Sequence, residues 1–291
     1  MAPLRVFTLL QRSLLLIGVL AIVSSALLLW DWRKDDQSIR EAVAEHILSR
    51  PGTGVFVEEL TSWVFHNQGF RKNDGYFLLK SLGPTPKQVL EKGGDCADKS
   101  RLLSTILRQY VVDSSLVTLY ECKGCGPTHI VVEARYDKGW MVADPVFDMV
   151  FPKQEFSYYN VGELKENPAL LPNRLDELVQ SRGLRHPVKQ YRRADESYTW
   201  AQYFNWDKFS WSDDLAAILS GFGIDLYQLR RPYFLEDPKL FLGLVSGGAG
   251  LAALLASLAA GFVAGRTKRV GRTDGVAAVA AGSTEHCRNR T

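Results

Sequence analysis

A cysteine where a helix is about to begin, a histidine at the head of a strand and an aspartate at the end of the next strand could do covalent chemistry together. Cys96 follows Gly93, Gly94 and Asp95. A thiol attacks a carbonyl carbon as thiolate, and the N–H groups and dipole of a helix N-terminus stabilise that charge. The same N–H groups can hold the oxyanion of an acyl intermediate. The two glycines allow another backbone, or a substrate, to come close. Such a nucleophile needs a base on another element, oriented by a third group. His129 opens THIVVEAR and Asp144 closes GWMVAD, and they are expected to fill those roles. Taken alone, Cys96 reads as a small buried hydrophobe and Asp144 as a turn cap before Pro145. Found together in these contexts, the three read as a site.

The roles make a demand on the turn between the two strands. A hairpin closed by Asp137 and Lys138 pairs Tyr136 with Gly139 and Val131 with Asp144. His129 then shares the face of Asp144 as a diagonal neighbour, about 7–8 Å away along the backbone. A four-residue loop keeps this register, whereas a three-residue loop puts the two side chains on opposite faces.

The elements around them follow from periodicity and punctuation. Ser38–Ser49 and Val57–Asn67 have helical spacing, ended by Pro51–Gly52 and by Gly69. His46 and His66 sit in these stretches as ordinary helical histidines. Thr85 caps a short helix with Pro86 in its first turn. Asp95 or Cys96 opens the next helix, whose stripe of Leu103, Ile106, Leu107 and Tyr110 faces a core, with Leu102 beside it. Three strands follow, at Leu116–Tyr120, Thr128–Arg135 and Gly139–Asp144. Helices first and then an antiparallel meander predict an α+β fold. A further helix is expected within Asn167–Val179. Tyr198–Trp211 is half aromatic. It reads as a stacking platform, as a membrane-interface contact or, in preference, as cover for the sheet.

GGDCADKSRLLSTILR, THIVVEAR and GWMVADP, in this order, resemble the three signature segments of the transglutaminase-like superfamily. The resemblance covers roughly Val57–Phe151, about a third of the chain. It implies a papain-like core, acyl-transfer chemistry, Cys96 as nucleophile, His129 as base and Asp144 as orienting acid. It also implies an acidic residue two positions after the nucleophile, where Asp98 stands. The chain departs from the pattern at CKGCGPT, between the first strand and the histidine. Trp63, Gln68 and Tyr76 are candidates for a second oxyanion donor, with nothing to choose among them. Some relatives of this superfamily have lost catalysis, so an inactive scaffold or binding protein of the cell envelope is the alternative function.

Two uncharged runs place the chain in a membrane. Ser13–Trp30 is about the shortest helix that crosses the hydrocarbon. Arg5 and Arg12 precede it, which keeps the N-terminus in the cytoplasm. A cleaved signal peptide is the rival reading, but no clean small-residue cleavage site is present. Leu240–Gly265 is the second run, stopped by Arg266, Lys268, Arg269 and Arg272. The implied topology is two-pass in the cell (inner) membrane, with both termini cytoplasmic and the domain between them periplasmic. Gly243 and Gly247, and Gly261 and Gly265, have the spacing that lets helices approach. They serve contact with the first span, contact with a second copy in a homodimer, or simply reflect the glycine content of membrane helices.

The expected organisation is a cytoplasmic N-terminus (1–12), a membrane helix (13–30), a helical linker (31–55) and a catalytic core (56–155). An aromatic-rich extension (156–239), a second membrane helix (240–265) and a basic, unstructured cytoplasmic tail (266–291) complete it. The 291 residues carry a net charge of +3, which gives no reason to expect nucleic acid. Membrane lipid and a peptide or protein amide of the envelope are the expected partners. No cofactor, metal or calcium loop is expected. Of the 4 cysteines, Cys122 and Cys125 favour a disulfide, ahead of a redox site and then zinc. Cys287 lies in the tail.

Overall fold

The computed structural model describes residues 2–72, 75–122, 124–154, 156–183, 187–191, 197–204 and 211–285. The first apolar run and the charged stretch behind it form one helix, α1, from Ala2 to Ala44. The sequence reading gives these as separate elements, a membrane helix over 13–30 and a helical linker over 31–55 with its periodicity at 38–49. No proline or glycine lies between Trp30 and Ala44 to interrupt the backbone ladder. Gln37 Nε2 also donates to Glu41 one turn on, at 2.8 Å. The helix stops at Ala44, short of Ser49, where the amides of His46 and Ile47 both turn back onto the Val43 carbonyl.

Helix α2 (Gly54–His66) is capped by Thr53, whose hydroxyl accepts from Phe56 N. Helix α3 (Pro86–Lys92) has a full capping box of Thr85 and Gln88. Helix α4 (Cys96–Gln109) starts from Asp95. Strands β1 (Ser114–Tyr120), β2 (Pro127–Tyr136), β3 (Gly139–Asp144) and β4 (Met149–Val150) form one antiparallel sheet in sequence order. The expected turn is present: Tyr136 pairs with Gly139 and Val132 with Ala143. Strand β4, two residues long, is not foreseen in the sequence, because so short an apolar pair carries no periodicity. The disulfide Cys122–Cys125 closes the turn from β1 to β2.

Alternation along the strands gives the sheet two buried faces. Leu116, Val132, Ala134, Met141 and Ala143 pack with α2, α4 and the end of α1, where Ile39 and Val43 are buried. Val117, Leu119, Val131 and Val142 face the other way, against α5 (Val161–Glu166), α6 (Leu170–Arg182), Tyr198 and Tyr203. The aromatic stretch therefore supplies sheet cover through Tyr198 and Tyr203. Trp200 and Trp211 stay largely exposed, and Trp206 and Phe209 lie outside the described residues. After it come α7 (Ser212–Ser220) and α8 (Pro238–Glu285).

Glu133 ties the extension to the sheet. It is 2% exposed, on the same face of β2 as His129, and accepts from Val161 N at 3.0 Å, Tyr203 Oη at 2.6 Å and Arg230 Nη2 at 2.8 Å. Glu133→Ala leaves a buried amide, a hydroxyl and a guanidinium unsatisfied. Because Arg230 is about one-third exposed, its share is discounted for solvent screening. The expected cost is about 3 kcal/mol, a fall in melting temperature of about 10 °C. Thermal unfolding of the full chain in detergent checks it, and a fall under about 2 °C would remove Glu133 as the tie.

The chain divides into two units, residues 1–30 with 242–291, and residues 31–241. Within the first, α1 and α8 pair antiparallel and hold the two candidate membrane spans. A Cβ on Gly250 would lie 3.0 Å from the Gly18 carbonyl, and one on Gly18 would lie 2.8 Å from Leu254. Ser25 Oγ donates to the Gly243 carbonyl at 2.7 Å, and Ser257 Oγ to that of Gln11 at 2.9 Å. Gly243 and Gly247 thus face the first span, while Gly265 has nothing within 4 Å among the described residues. Helix α8 continues past Arg272 to Glu285, where an unstructured tail is expected from sequence. Ala277, Ala278, Ala280 and Ala281 are strong helix formers and carry it on. Cys287 lies outside the described residues.

Candidate active site

Cys96 is the first residue of α4. Asp95 Oδ1 accepts from Ala97 N at 3.0 Å and Asp98 N at 3.1 Å, so the cap leaves the Cys96 N–H uncommitted. The approach to the helix is fixed by Gly93, at φ +78°, where a Cβ would lie 2.8 Å from the Gln68 carbonyl and 3.0 Å from that of Gly69. No L side chain fits that conformation and that contact together. Phe70 pairs with Gly94, and Arg71 N donates to the Gly94 carbonyl at 3.1 Å. The stretch 68–71 therefore lies along the residues that lead into Cys96. Among the three candidate oxyanion donors, Gln68 is the one brought against this approach. Tyr76 lines a cleft with Asp95, Ala97 and Asp98, and Trp63, on α2, packs against His46 just past the end of α1.

His129 and Asp144 meet as the two-residue turn requires. Nε2 of His129 lies 2.7 Å from Asp144 Oδ2, with the side chains 3% and 0% exposed. Asp144 Oδ1 accepts from Val146 N at 2.9 Å and Phe147 N at 3.2 Å, so the turn after β3 locks the carboxylate. Phe147 and Tyr191 pack on the imidazole with ring centroids 5.4 and 5.7 Å away. The Cys96 thiol is within hydrogen-bonding reach of the same ring. With Nε2 taken by the carboxylate, Nδ1 is the nitrogen left for the sulfur. Cys96 is only half-buried, at the edge of the cluster that covers the His129 face. Burial alone would lower the His129 pKa, but the Asp144 carboxylate, and after it Cys96, outweigh burial and hold it well above its ordinary value.

Two charged residues follow on α4. Asp98, buried, accepts from Asp95 N at 3.3 Å and lies 3.7 Å from Arg101. Burial, with the Asp95 charge added, raises its carboxyl to about 6. Lys99 is 1% exposed, and its ammonium donates to the carbonyls of Val64 at 2.7 Å, Phe65 at 2.9 Å and Asn67 at 3.2 Å. All three of its donors are used, on carbonyls that the end of α2 leaves open. Burial brings its pKa down to about 8. Sequence reasoning passed over Lys99, Phe147 and Tyr191. Nothing local marks any of the three.

A cavity of about 560 Å³ opens beside this group, lined by Phe65, His66, Gly69, Phe70, Lys99, Val146, Phe147 and Pro187. One wall is the stretch that flanks the approach to Cys96. The other is the turn that holds Asp144 and touches His129. With the Lys99 donors consumed and His66 Nδ1 on the Ser62 carbonyl at 2.8 Å, the lining offers mainly apolar surface.

Residues 42–145 match the family model of the transglutaminase-like superfamily. No curated protein and no solved structure matches the chain. The match begins inside α1, ahead of the boundary at 56 expected from sequence, and so takes in Val43 of the core. It ends one residue past Asp144 and contains Cys96 and His129. The segment 42–145 is thus similar to the transglutaminase-like superfamily, and its helices packed against an antiparallel sheet are consistent with that match.

Proposed function

We propose that the chain is a membrane-anchored thiol acyltransferase or hydrolase that opens amide bonds of cell-envelope peptides or proteins outside the cytoplasm. The observation that carries the reading is the 2.7 Å contact of His129 with Asp144, with a half-buried thiol in reach of the same ring. The family match and the cavity beside the imidazole support it, and the two apolar helices support membrane association.

In this mechanism the Cys96 proton passes to His129, and Sγ bonds to the amide carbon. The carbonyl π pair moves onto oxygen, which the Cys96 N–H and the start of α4 stabilise. The carbonyl re-forms as the C–N bond breaks, and the imidazolium protonates the departing amine. The thioester left on Cys96 is opened by water, giving an acid, or by an amine, giving a new amide; either loses its proton to His129. Asp144 fixes the tautomer and offsets the imidazolium charge. The cavity suits an apolar group on the acyl side. Arg12 before the first run and Arg266, Lys268 and Arg269 after the second support cytoplasmic termini and a periplasmic domain.

Trapping with a thiol-reactive acyl probe and locating the adduct by mass spectrometry tests the reading. The probe is expected on Cys96 at a rate about 100-fold above that of glutathione at pH 7, the contribution of a positioned base. Labelling no faster than glutathione would point instead to an inert fold.

A further inference from the structure

At the far end of α4 from Cys96, and wholly within the unit 31–241, is a cleft of about 530 Å³ lined by Trp32, Arg33, Asp36, Arg40, Arg108 and Gln109, among others. Its single carboxylate is already engaged. Asp36 Oδ1 accepts from Arg108 Nη2 at 2.6 Å and from Gln109 Nε2 at 3.0 Å. Arg108 is further held over the rings of Trp32 and Tyr233, 5.2 and 5.4 Å from their centroids. Arg33 and Arg40, both exposed, have no carboxylate partner among the described residues. Trp32 Nε1 and Gln109 Oε1 are buried atoms without a hydrogen-bond partner. Trp32 and Gln109, each with one buried polar atom unpaired, and two guanidiniums without a carboxylate partner therefore line one concave surface.

The position along α1 says what meets it. The uncharged run ends at Trp30. At a rise of about 1.5 Å per residue, Trp32 and Arg33 stand about 3–5 Å beyond it. The headgroup layer of a bilayer is about 5–8 Å deep on each side. Arg40, farther up the helix with its guanidinium 5.8 Å from the Tyr110 ring centroid, would lean back along its own stem to share the phosphate. We propose that this cleft binds the phosphodiester headgroup of an anionic phospholipid. Arg33 and Arg40 neutralise the phosphate, Trp32 Nε1 donates to one of its oxygens, and Gln109 Oε1 accepts from a hydroxyl of the headgroup. The proposal depends on α1 crossing the membrane and is independent of the chemistry at Cys96.

Calorimetric titration of the full chain in neutral detergent with dihexanoylphosphatidylglycerol tests it. Parallel titrations use dihexanoylphosphatidylcholine and inorganic phosphate. One equivalent of phosphatidylglycerol is expected to bind more tightly than either comparator. Arg33→Gln with Arg40→Gln should weaken it about 30-fold, and Arg33→Gln alone about 5-fold, at roughly one kilocalorie per surface cation. Arg12→Gln, before the other end of the apolar run, should leave it unchanged. The proposal fails if inorganic phosphate binds as tightly as the lipid, which would make this a free-anion site. It fails equally if the double variant keeps wild-type affinity, or if Arg12→Gln costs as much.

Discussion

Cys96→Ala should abolish acyl transfer, lowering kcat by about 10⁶-fold while leaving the fold intact. The residue is half-buried at the first position of α4, where alanine is a good helix former and the cap from Asp95 does not involve the thiol. The stability cost is expected below about 1 kcal/mol. Loss of turnover and of acyl labelling with an unchanged melting curve is the supporting result. A variant that still forms the thioester adduct, or still turns over, would remove Cys96 as nucleophile. Labelling that moves to Cys287 would count the same way.

Asp144→Asn should lower kcat by about 10²–10⁴-fold and move the alkaline limb of kcat/KM to lower pH. The carboxamide that replaces the carboxylate could still accept from Val146 N and Phe147 N through its carbonyl oxygen, so the turn after β3 survives. Its NH₂ would then face His129 Nε2 with a donor, favouring the tautomer with the proton on Nδ1. That nitrogen could no longer take the thiol proton. In the wild type, burial pushes the His129 pKa down and the Asp144 charge more than reverses it. Without the charge, burial acts unopposed and the imidazolium is lost at lower pH. The same sign governs stability. A histidine raised in the folded state contributes stability that is full below about 6.5, its unfolded value, and fades as pH rises through the folded value. The wild type should therefore lose melting temperature on the alkaline side of that window, and Asp144→Asn should flatten the slope. An alkaline limb that stays in place would mean that another group sets it.

What the sequence made legible was local. The two-residue turn at Asp137–Lys138 carried the register of β2 against β3, and with it the meeting of His129 and Asp144, because side-chain direction alternates strictly along a strand. Thr85 and Asp95 mark the starts of their helices by side-chain bonds within three residues. What stayed hidden depends on partners far along the chain. Lys99 reads as a surface charge until the end of α2 is seen against it, more than thirty residues earlier. Glu133 looks like the polar member of an alternating strand until Tyr203 and Arg230 close over it. The continuity of α1 across Asp31 is not visible in the pattern, because the change from apolar to charged residues there separates a membrane helix from a linker in composition only. A helix backbone is indifferent to that change so long as no breaker intervenes.

The Lys99 clamp has a consequence for hydrogen exchange. Its three bonds run from the first turns of α4 to the last carbonyls of α2. Fraying the end of α2 would strand an ammonium in apolar surroundings, so the two helix ends must open together or not at all. Amides near residues 64–67 and 99–103 should therefore exchange with one shared opening free energy, although helix termini normally loosen first and independently.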